Sequence, residues 1–506
     1  MFIRQKKNKS GSYSVQILIK ENGRNRLIKS IGSSSDEKQL AILNEKANQE
    51  IQKLKGQSSL FLFEKDTLIE SFISELSNAQ IRTIGPELVF GKIYNHIGYN
   101  QVNSDLFRHL VIARLAFPLS KLKTIEYLYR YQGITLDLDT VYRFLDKLNC
   151  ELKEQVEQIS FNHTLKVLNG NLSIMFYDMT TLYFEASDED DLRKTGFSKD
   201  GKHSNPQIYI GLLVGLGGYA VGYDIFEGNI YEGHTLIPII EKMSKRFNLS
   251  KPIIVADAGL LNDANITALK AQDYEYIIGA KIKNESKSNK EKMLSATFED
   301  ESYIVLQKDT ARLIVHYSSK RARKDQHNRE RGLKRLEKKI KSGKLTKENI
   351  NNRGYNKYLK MEGEVKISID DEKFKSDQKW DGLKGYITNC SQNPSVILEN
   401  YKNLWHIEKA FRMSKTDLRI RPIYHRLRKR IEAHVCLSFV AYSIYKELER
   451  VLKEEKYRLS VEKASEITHN MYQMEITLPE SRNTRKILLK MDQDQTELVK
   501  IINKNF

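Results

Sequence analysis

The sequence predicts an α/β protein: a mixed sheet flanked by helices, preceded by a β-hairpin and a helical segment, and interrupted by a long insertion. Three observations carry this. From Asn171 to Ala280 the pattern runs strand, strand, strand, helix, strand, helix, strand. The strand Pro252–Asp257 (PIIVAD) is apolar until its last residue, as expected of a central parallel strand covered on both faces. Between Lys283 and Lys379 lies a stretch with strands and a highly charged helix of its own, too long to be a single connection.

The elements follow in order. Tyr13 to Gly32 carries two alternating runs around Asn22-Gly23, a strong short-range hairpin signal, and Lys and Arg decorate the ribbon. A polar helix follows over about Ser35 to Lys55. From Leu60 to about Leu165 apolar residues recur at three and four spacing, as in LFRHLVIARLAF and TIEYLYRYQG. Within it, ITLDLDTVYRFLDKL reads as a turn and a helix running to Leu148, with Asp139 as its cap. That is the outline of a helix-turn-helix and equally of a plain bundle pair.

Asn171–Ala186 is a strand. Its period of two puts Ile174, Phe176, Asp178 and Thr180 on one face, so Asp178 interrupts an apolar surface. The cluster Asp188 to Asp191 reads as a solvated loop. Gln207–Leu216 and Tyr219–Phe226 are strands joined at Gly217-Gly218, a hairpin and not a phosphate loop. No GxxxxGK[ST] follows a strand anywhere, so no nucleotide cofactor is expected. Thr235–Phe247 is a helix. Asp257 ends the next strand, at the end where open α/β sheets bind ligands. A helix near Asn262–Gln272 and a strand Tyr274–Ala280 complete the series.

Residues 283–379 include SYIVLQ, RLIVHY, a basic helical stretch Ser319–Lys347, and EVKISID. They are expected to form a subdomain outside the sheet. Arg428–Arg450 is a largely apolar helix. The tail, 451–506, is charged and gives no reading of its role. The expected division is thus 1–58, hairpin and helix; 59–168, helical; 169–282 with 380–450, core; 283–379, insertion; and 451–506, tail.

Lys and Arg number 83 against 65 Asp and Glu, a formal net charge of +18 and a pI near 9.3. An excess of that size suggests a polyanionic partner, most simply nucleic acid, with the helical domain as one reader of it. Three cysteines, Cys150, Cys390 and Cys436, are far apart, which argues against a disulfide framework or a zinc site and fits a reducing, cytoplasmic setting. The N-terminus lacks the apolar core of a signal peptide, and no apolar run is long enough to span a bilayer.

The remaining stretch is Asn400–His425, NYKNLWHIEKAFRMSKTDLRIRPIYH, with no Gly and no Pro before Pro422. Read as one helix, it places Ile407, Leu418, Phe411 and Leu404 on one arc. Lys415, Glu408, Tyr401 and Arg412 continue that arc. Glu408 then lies beside an apolar seam, costly unless paired or holding a metal.

The spacing Tyr401-x6-Glu408-x6-Lys415, followed by RPIYH, resembles the signature helix of bacterial insertion-sequence transposases with an Asp-Asp-Glu site. That signature has Arg where Leu404 stands. A branch with the pattern LWxIExxFRxxKxxLxxRPI also lacks this Arg and is similar to the present chain. GFSKDGKHSNPQIYIGLLV and GYDIFEGN resemble the family's second-strand region. The order of strands and helices is that of an RNase H-like core.

The resemblance implies that Asp178, Asp257 and Glu408 are catalytic and hold two Mg²⁺ or Mn²⁺ ions, since oxygen-only ligands with open positions favour those ions. Tyr401, Arg412 and Lys415 would contact DNA. The partners implied are duplex DNA, both element ends and target, and a second copy of the chain. The reaction implied is nicking, then transfer of the freed 3′-OH into target DNA, in a nucleoid-associated bacterial protein. An RNase H-like endonuclease without strand transfer, and a non-catalytic DNA-binding protein, remain open at this point.

Overall fold

The computed structural model describes residues 1–21, 23–54, 69–70, 72–199, 201–308, 310–343, 345, 350–351, 354–362, 366–478, 481 and 483–506. Asn22 of the hairpin turn, residues 60–68 of the helical segment, Lys344 and Lys347 of the basic stretch, and Glu364-Val365 lie outside them. The chain divides into two compact units, residues 1–82 with 473–489 and residues 83–472 with 490–506.

In the first unit the hairpin gains a strand. β1 (Phe2–Lys7), β2 (Tyr13–Glu21) and β3 (Arg24–Ser34) pair antiparallel in that order. Gly23 takes φ +76°, the left-handed turn conformation glycine adopts without steric cost. The helix Glu37–Leu54 closes a small core, setting Leu40, Ala47 and Ile51 on Val15 and Ile17. β4 (Ile81–Thr83) ends this part of the chain.

The second unit opens with helices, among them Asp105–Ala116, Leu138–Lys147 and Lys153–Val167. The cap of Leu138–Lys147 is Asp137, not Asp139. Asp137 Oδ1 accepts from the Thr140 N–H at 2.6 Å and Oδ2 from the Thr140 hydroxyl at 2.7 Å. Asp139 already lies in the first turn, where the backbone is helical and a capping side chain has no role.

The sheet of this unit has eight strands. β5 (Ile174–Tyr183), β6 (Gln207–Val214), β7 (Ala220–Glu227), β8 (Ile253–Ala256) and β9 (Tyr276–Ala280) stand in the order β7-β6-β5-β8-β9. β5, β6 and β7 are antiparallel, and β8 and β9 run parallel to β5. That is an RNase H-like core. Gly217 and Gly218 make the β6–β7 turn at φ +71° and +85°.

β10 (Tyr303–Lys308), β11 (Ala311–Tyr317) and β14 (Leu383–Thr388) continue the sheet past β9, in the order β9-β14-β11-β10. The insertion therefore does not stand outside the sheet as expected. β14 leaves an open edge, and the apolar run of β11, with Leu313, Ile314 and Val315 fully buried, covers it. What does leave the sheet is the basic helix Ser319–Lys341 and the hairpin β12 (Leu359–Glu362) and β13 (Lys366–Ile369).

The two faces of β5 define the layers. Ile174, Phe176 and Leu182 face a core shared with the helices Trp405–Thr416 and Arg428–Glu454. Met175, Tyr177 and Met179 face the helix Leu236–Phe247. The tail is structural: the helix Gln493–Asn505 buries Leu498, Ile501 and Ile502 in the first of these cores. β15 (Tyr472–Thr477) and β16 (Thr484–Leu488) form a three-stranded sheet with β4. No helix among the described residues is long and apolar enough to cross a membrane. All three cysteines are free thiols.

Candidate active site

Strand register brings the first two acids together. β5 and β8 pair in parallel with Tyr177 opposite Ala256. The next residues are Asp178, within β5, and Asp257, just past the end of β8, so the two stand side by side, about 4.8 Å apart at the backbone. Each is held by a backbone amide: Asp178 Oδ1 accepts from the Met179 N–H at 2.7 Å, and Asp257 Oδ1 from the Gly259 N–H at 2.9 Å.

The stretch carrying Glu408 is two helices, not one: Pro394–Lys402 and Trp405–Thr416. No Gly or Pro breaks it. At Asn403-Leu404 the backbone tightens to three-residue bonds, with Leu404 N–H to Tyr401 O at 3.0 Å and His406 N–H to Asn403 O at 3.0 Å. Leu404 turns inward and is buried. Tyr401 thus belongs to the first helix and Glu408 to the second. Ile407 and Ala410, both fully buried, seat the second helix on β5 and β6. An Ile buried so fully contributes about 2 kcal/mol. Glu408, on the opposite side, is exposed rather than sunk in a seam. The helix ends at Thr416, and Arg419 takes φ +43° beyond it.

Tyr401 stands within the electrostatic reach of all three acids. Its hydroxyl lies over Gly279 of β9, where a Cβ would come within 2.6 Å of it and 2.9 Å of the Ala258 nitrogen. Burial pushes this phenol up, and the charges of Asp257, Asp178 and Glu408, with Tyr386, push it further. Lys384 of β14 sits 4.5 Å from the centre of the Tyr401 ring. Burial and Arg321 hold its ammonium down, against the pull of Glu408 and Asp257.

Two residues not singled out in the sequence join the site. Lys199 Nζ lies 3.5 Å from Asp178 Oδ1 and 3.3 Å from Glu232 Oε1, and donates to the Met179 carbonyl at 2.8 Å. A Cβ on Gly259 would fall 3.0 Å from Asp257 Oδ1 and 3.2 Å from Glu232 Oε2, so both carboxylates flank that bare Cα. Glu232 stands in a short turn before the helix Leu236–Phe247, with no periodic pattern to mark it. Burial pushes the Asp178 carboxyl up to about 6 against the pull of Lys199; Asp257 and Glu232 add to the rise. Burial alone would lower the Lys199 ammonium, but Asp178, Glu232 and Asp257 outweigh it and hold it above its ordinary range.

The other two expected contacts stand on the same helix as Glu408, one and two turns beyond it, and line different hollows. Lys415 is half-buried and lines a small cavity with Thr180, Leu182 and Phe411. Arg412 is exposed and lines a separate cleft with Asp417, Tyr445 and Glu449. The loop Asp188–Asp191 is more than solvated: Asp190 accepts from the Arg193 guanidinium at 2.7 Å, and Asp191 pairs with Arg428 at 3.3 Å.

Among the described residues no three His, Cys, Asp or Glu side chains stand close enough together to form a ready metal cage. The donor chemistry nonetheless suits a hard cation. The carboxylates are oxygen-only, and an ammonium already occupies the position between Asp178 and Glu232 where positive charge is demanded.

A family profile described as the transposase DDE domain matches residues 170–444, more than half of the sequence, and the chain belongs to that family. No curated protein matches it. Among solved structures, a piggyBac transposase synaptic complex with hairpin DNA aligns at 8% identity and a TM-score of 0.39, covering 76% of this chain and 78% of that one.

Proposed function

We propose that the protein is an insertion-sequence transposase that nicks DNA at its element's ends and joins the freed 3′-OH to target DNA. The observation that carries this is the parallel register Tyr177–Ala256, which sets Asp178 beside Asp257 next to the helix bearing Glu408. Those three acids would hold the divalent ions, Mg²⁺ or Mn²⁺, that family membership leads one to expect. Such ions neutralise charge on the attacking and leaving oxygens of a phosphoryl transfer.

The chain's own residues do the rest. The amides of Met179 and Gly259 fix the carboxylate rotamers of Asp178 and Asp257. Lys199 neutralises Asp178 and Glu232 until a stronger cation competes, and Glu232 is a fourth oxygen donor within reach. Tyr401 and Lys384 wall the site on the β9 side. Tyr401 and Lys415 would position the element end, and Arg412, one helical turn beyond Glu408, would hold a further stretch of backbone. The basic helix Ser319–Lys341, with eleven Lys and Arg against three acids, is a clamp for duplex DNA. Two copies, one per element end, form the working assembly.

The test is wild-type protein with Mg²⁺, a duplex carrying the element's two ends, and a target plasmid. Nicked 3′ ends and a joined product are expected. Nicks without joining would make it an endonuclease, and no metal-dependent product at all would sink the catalytic reading.

A further inference from the structure

The RPIYH segment beyond the signature helices has no part in the site above. It lines a cleft of about 560 Å³ in the same unit. Arg421, Tyr424 and His425 come from this segment, and Arg114 and Lys121 from the helical region before the sheet. Both of those cations are buried, Arg114 to 4% and Lys121 to 6% exposure.

They are not equivalent. Arg114 donates to the Arg419 carbonyl at 3.2 Å, and its Nη2 lies 3.4 Å from His434 Nδ1, so it ties the loop to the helices. Lys121 has no carboxylate or hydrogen-bond acceptor among the described residues and faces the cleft. A buried ammonium without a partner is costly, and folds keep one only where something else compensates. Burial, with Arg114 beside it, pushes this ammonium well below its ordinary range. An anion entering the cleft would reverse that.

We propose that this cleft seats a phosphate of the DNA backbone, gripped by Lys121 and Arg421, with Tyr424 at its mouth. Tyr424 is 68% exposed, a ring offered to solvent beside the cations. The Arg421 guanidinium lies 5.3 Å from the centre of the Tyr183 ring, at the end of the strand that carries Asp178. Five residues of strand span about 17 Å, the rise of about five nucleotides of one DNA strand. The seat is thus placed to hold the same strand some way from the acids. Choosing DNA as the source of the phosphate rests on the transposase reading.

The experiment has two arms, each with wild type, Lys121→Met and Arg421→Gln. In the first, thermal unfolding is followed with inorganic phosphate against chloride at equal ionic strength. Phosphate should raise the wild-type midpoint and not that of Lys121→Met. Without phosphate, Lys121→Met should unfold no lower than wild type, because an unpaired buried charge is gone. In the second, binding of an end-containing duplex is measured by fluorescence anisotropy across salt concentrations. Both variants should bind several-fold more weakly, with the slope of log K against log salt reduced by about one.

Unchanged affinity and slope in both variants, with wild type binding DNA, would overturn the proposal. Should Lys121→Met not fold, Arg421→Gln alone decides. A wild type that binds no duplex would instead undo the transposase reading; a phosphate shift that depends on Lys121 would then still support an oxyanion seat, and its absence would overturn it.

Discussion

Asp178→Asn is expected to abolish DNA processing while making the ion-free protein more stable at neutral pH. The activity loss should be about a thousandfold or more, because several kcal/mol of transition-state charge stabilisation depend on ion ligands and each ~1.4 kcal/mol is tenfold in rate. The stability gain follows from the Asp178 carboxyl, which burial, with Asp257 and Glu232, pushes up to about 6. A carboxyl raised in the folded state favours its protonated form, so folding pays no penalty for it below about pH 4. The penalty grows from there to about pH 6 and is complete above it. The shift amounts to at most about 3 kcal/mol. Asn carries no such charge, so in EDTA the variant should unfold at a higher temperature than wild type at pH 7, and the two should converge near pH 4. A variant less stable at pH 7 would mean that the Lys199 bridge outweighs the desolvation of Asp178.

The second large effect is on the frame. Glu447 of the long helix is completely buried; the Arg450 Nε is 3.1 Å from both of its oxygens, and His163 Nε2, from the helix Lys153–Val167, is 3.5 Å away. Burial pushes the Glu447 carboxyl up, but the His163 ring and the Arg450 guanidinium overcome this and hold it at about 2. Its stabilising contribution is therefore full above about pH 4.5 and is lost as pH falls towards 2. Glu447→Ala leaves the buried His163 ring without its partner, while Arg450, partly exposed, keeps Glu454. Removing one side of a fully buried pair costs about 3–5 kcal/mol, and here the loss is expected at or below the lower end because Arg450 still reaches water and Glu454. Thermal unfolding at pH 7 should show a large drop in midpoint, and the gap to wild type should narrow below pH 4.5. An unchanged midpoint would mean that the two helices are held by apolar packing alone.

Much of the core could be read from the residues because each element carried its own pattern. The alternation through Phe176, Asp178 and Thr180 fixed the face of β5, and the apolar PIIVAD marked a strand covered on both sides. Two adjacent parallel strands then needed only their register to align the acids. The misses have physical causes. The break at Asn403-Leu404 is made by inward packing of Leu404, and no helix-breaking residue announces it. β10 alternates as an ordinary edge strand and β11 carries an apolar run, and only the edge that β14 leaves open decides that they join the sheet. Glu232 and Lys199 sit in turns, where periodicity is silent, and meet Asp178 and Asp257 only through the fold. Lys121 carries no signal in the sequence, and its burial is a product of the fold alone.

If Asp178, Asp257 and Glu408 together run metal-dependent chemistry on DNA, removing the charge of one of them ends it. The most direct measurement is 3′-end nicking and joining with Mg²⁺ by wild type and Glu408→Gln, with gel-shift binding of the same duplex as control. Gln keeps the shape of the side chain and removes the charge, on an exposed position whose loss the fold tolerates. Binding should persist while nicking and joining fall by orders of magnitude, since the interaction lost acts mainly in the transition state. Equal cleavage by the two proteins would contradict the Asp-Asp-Glu assignment.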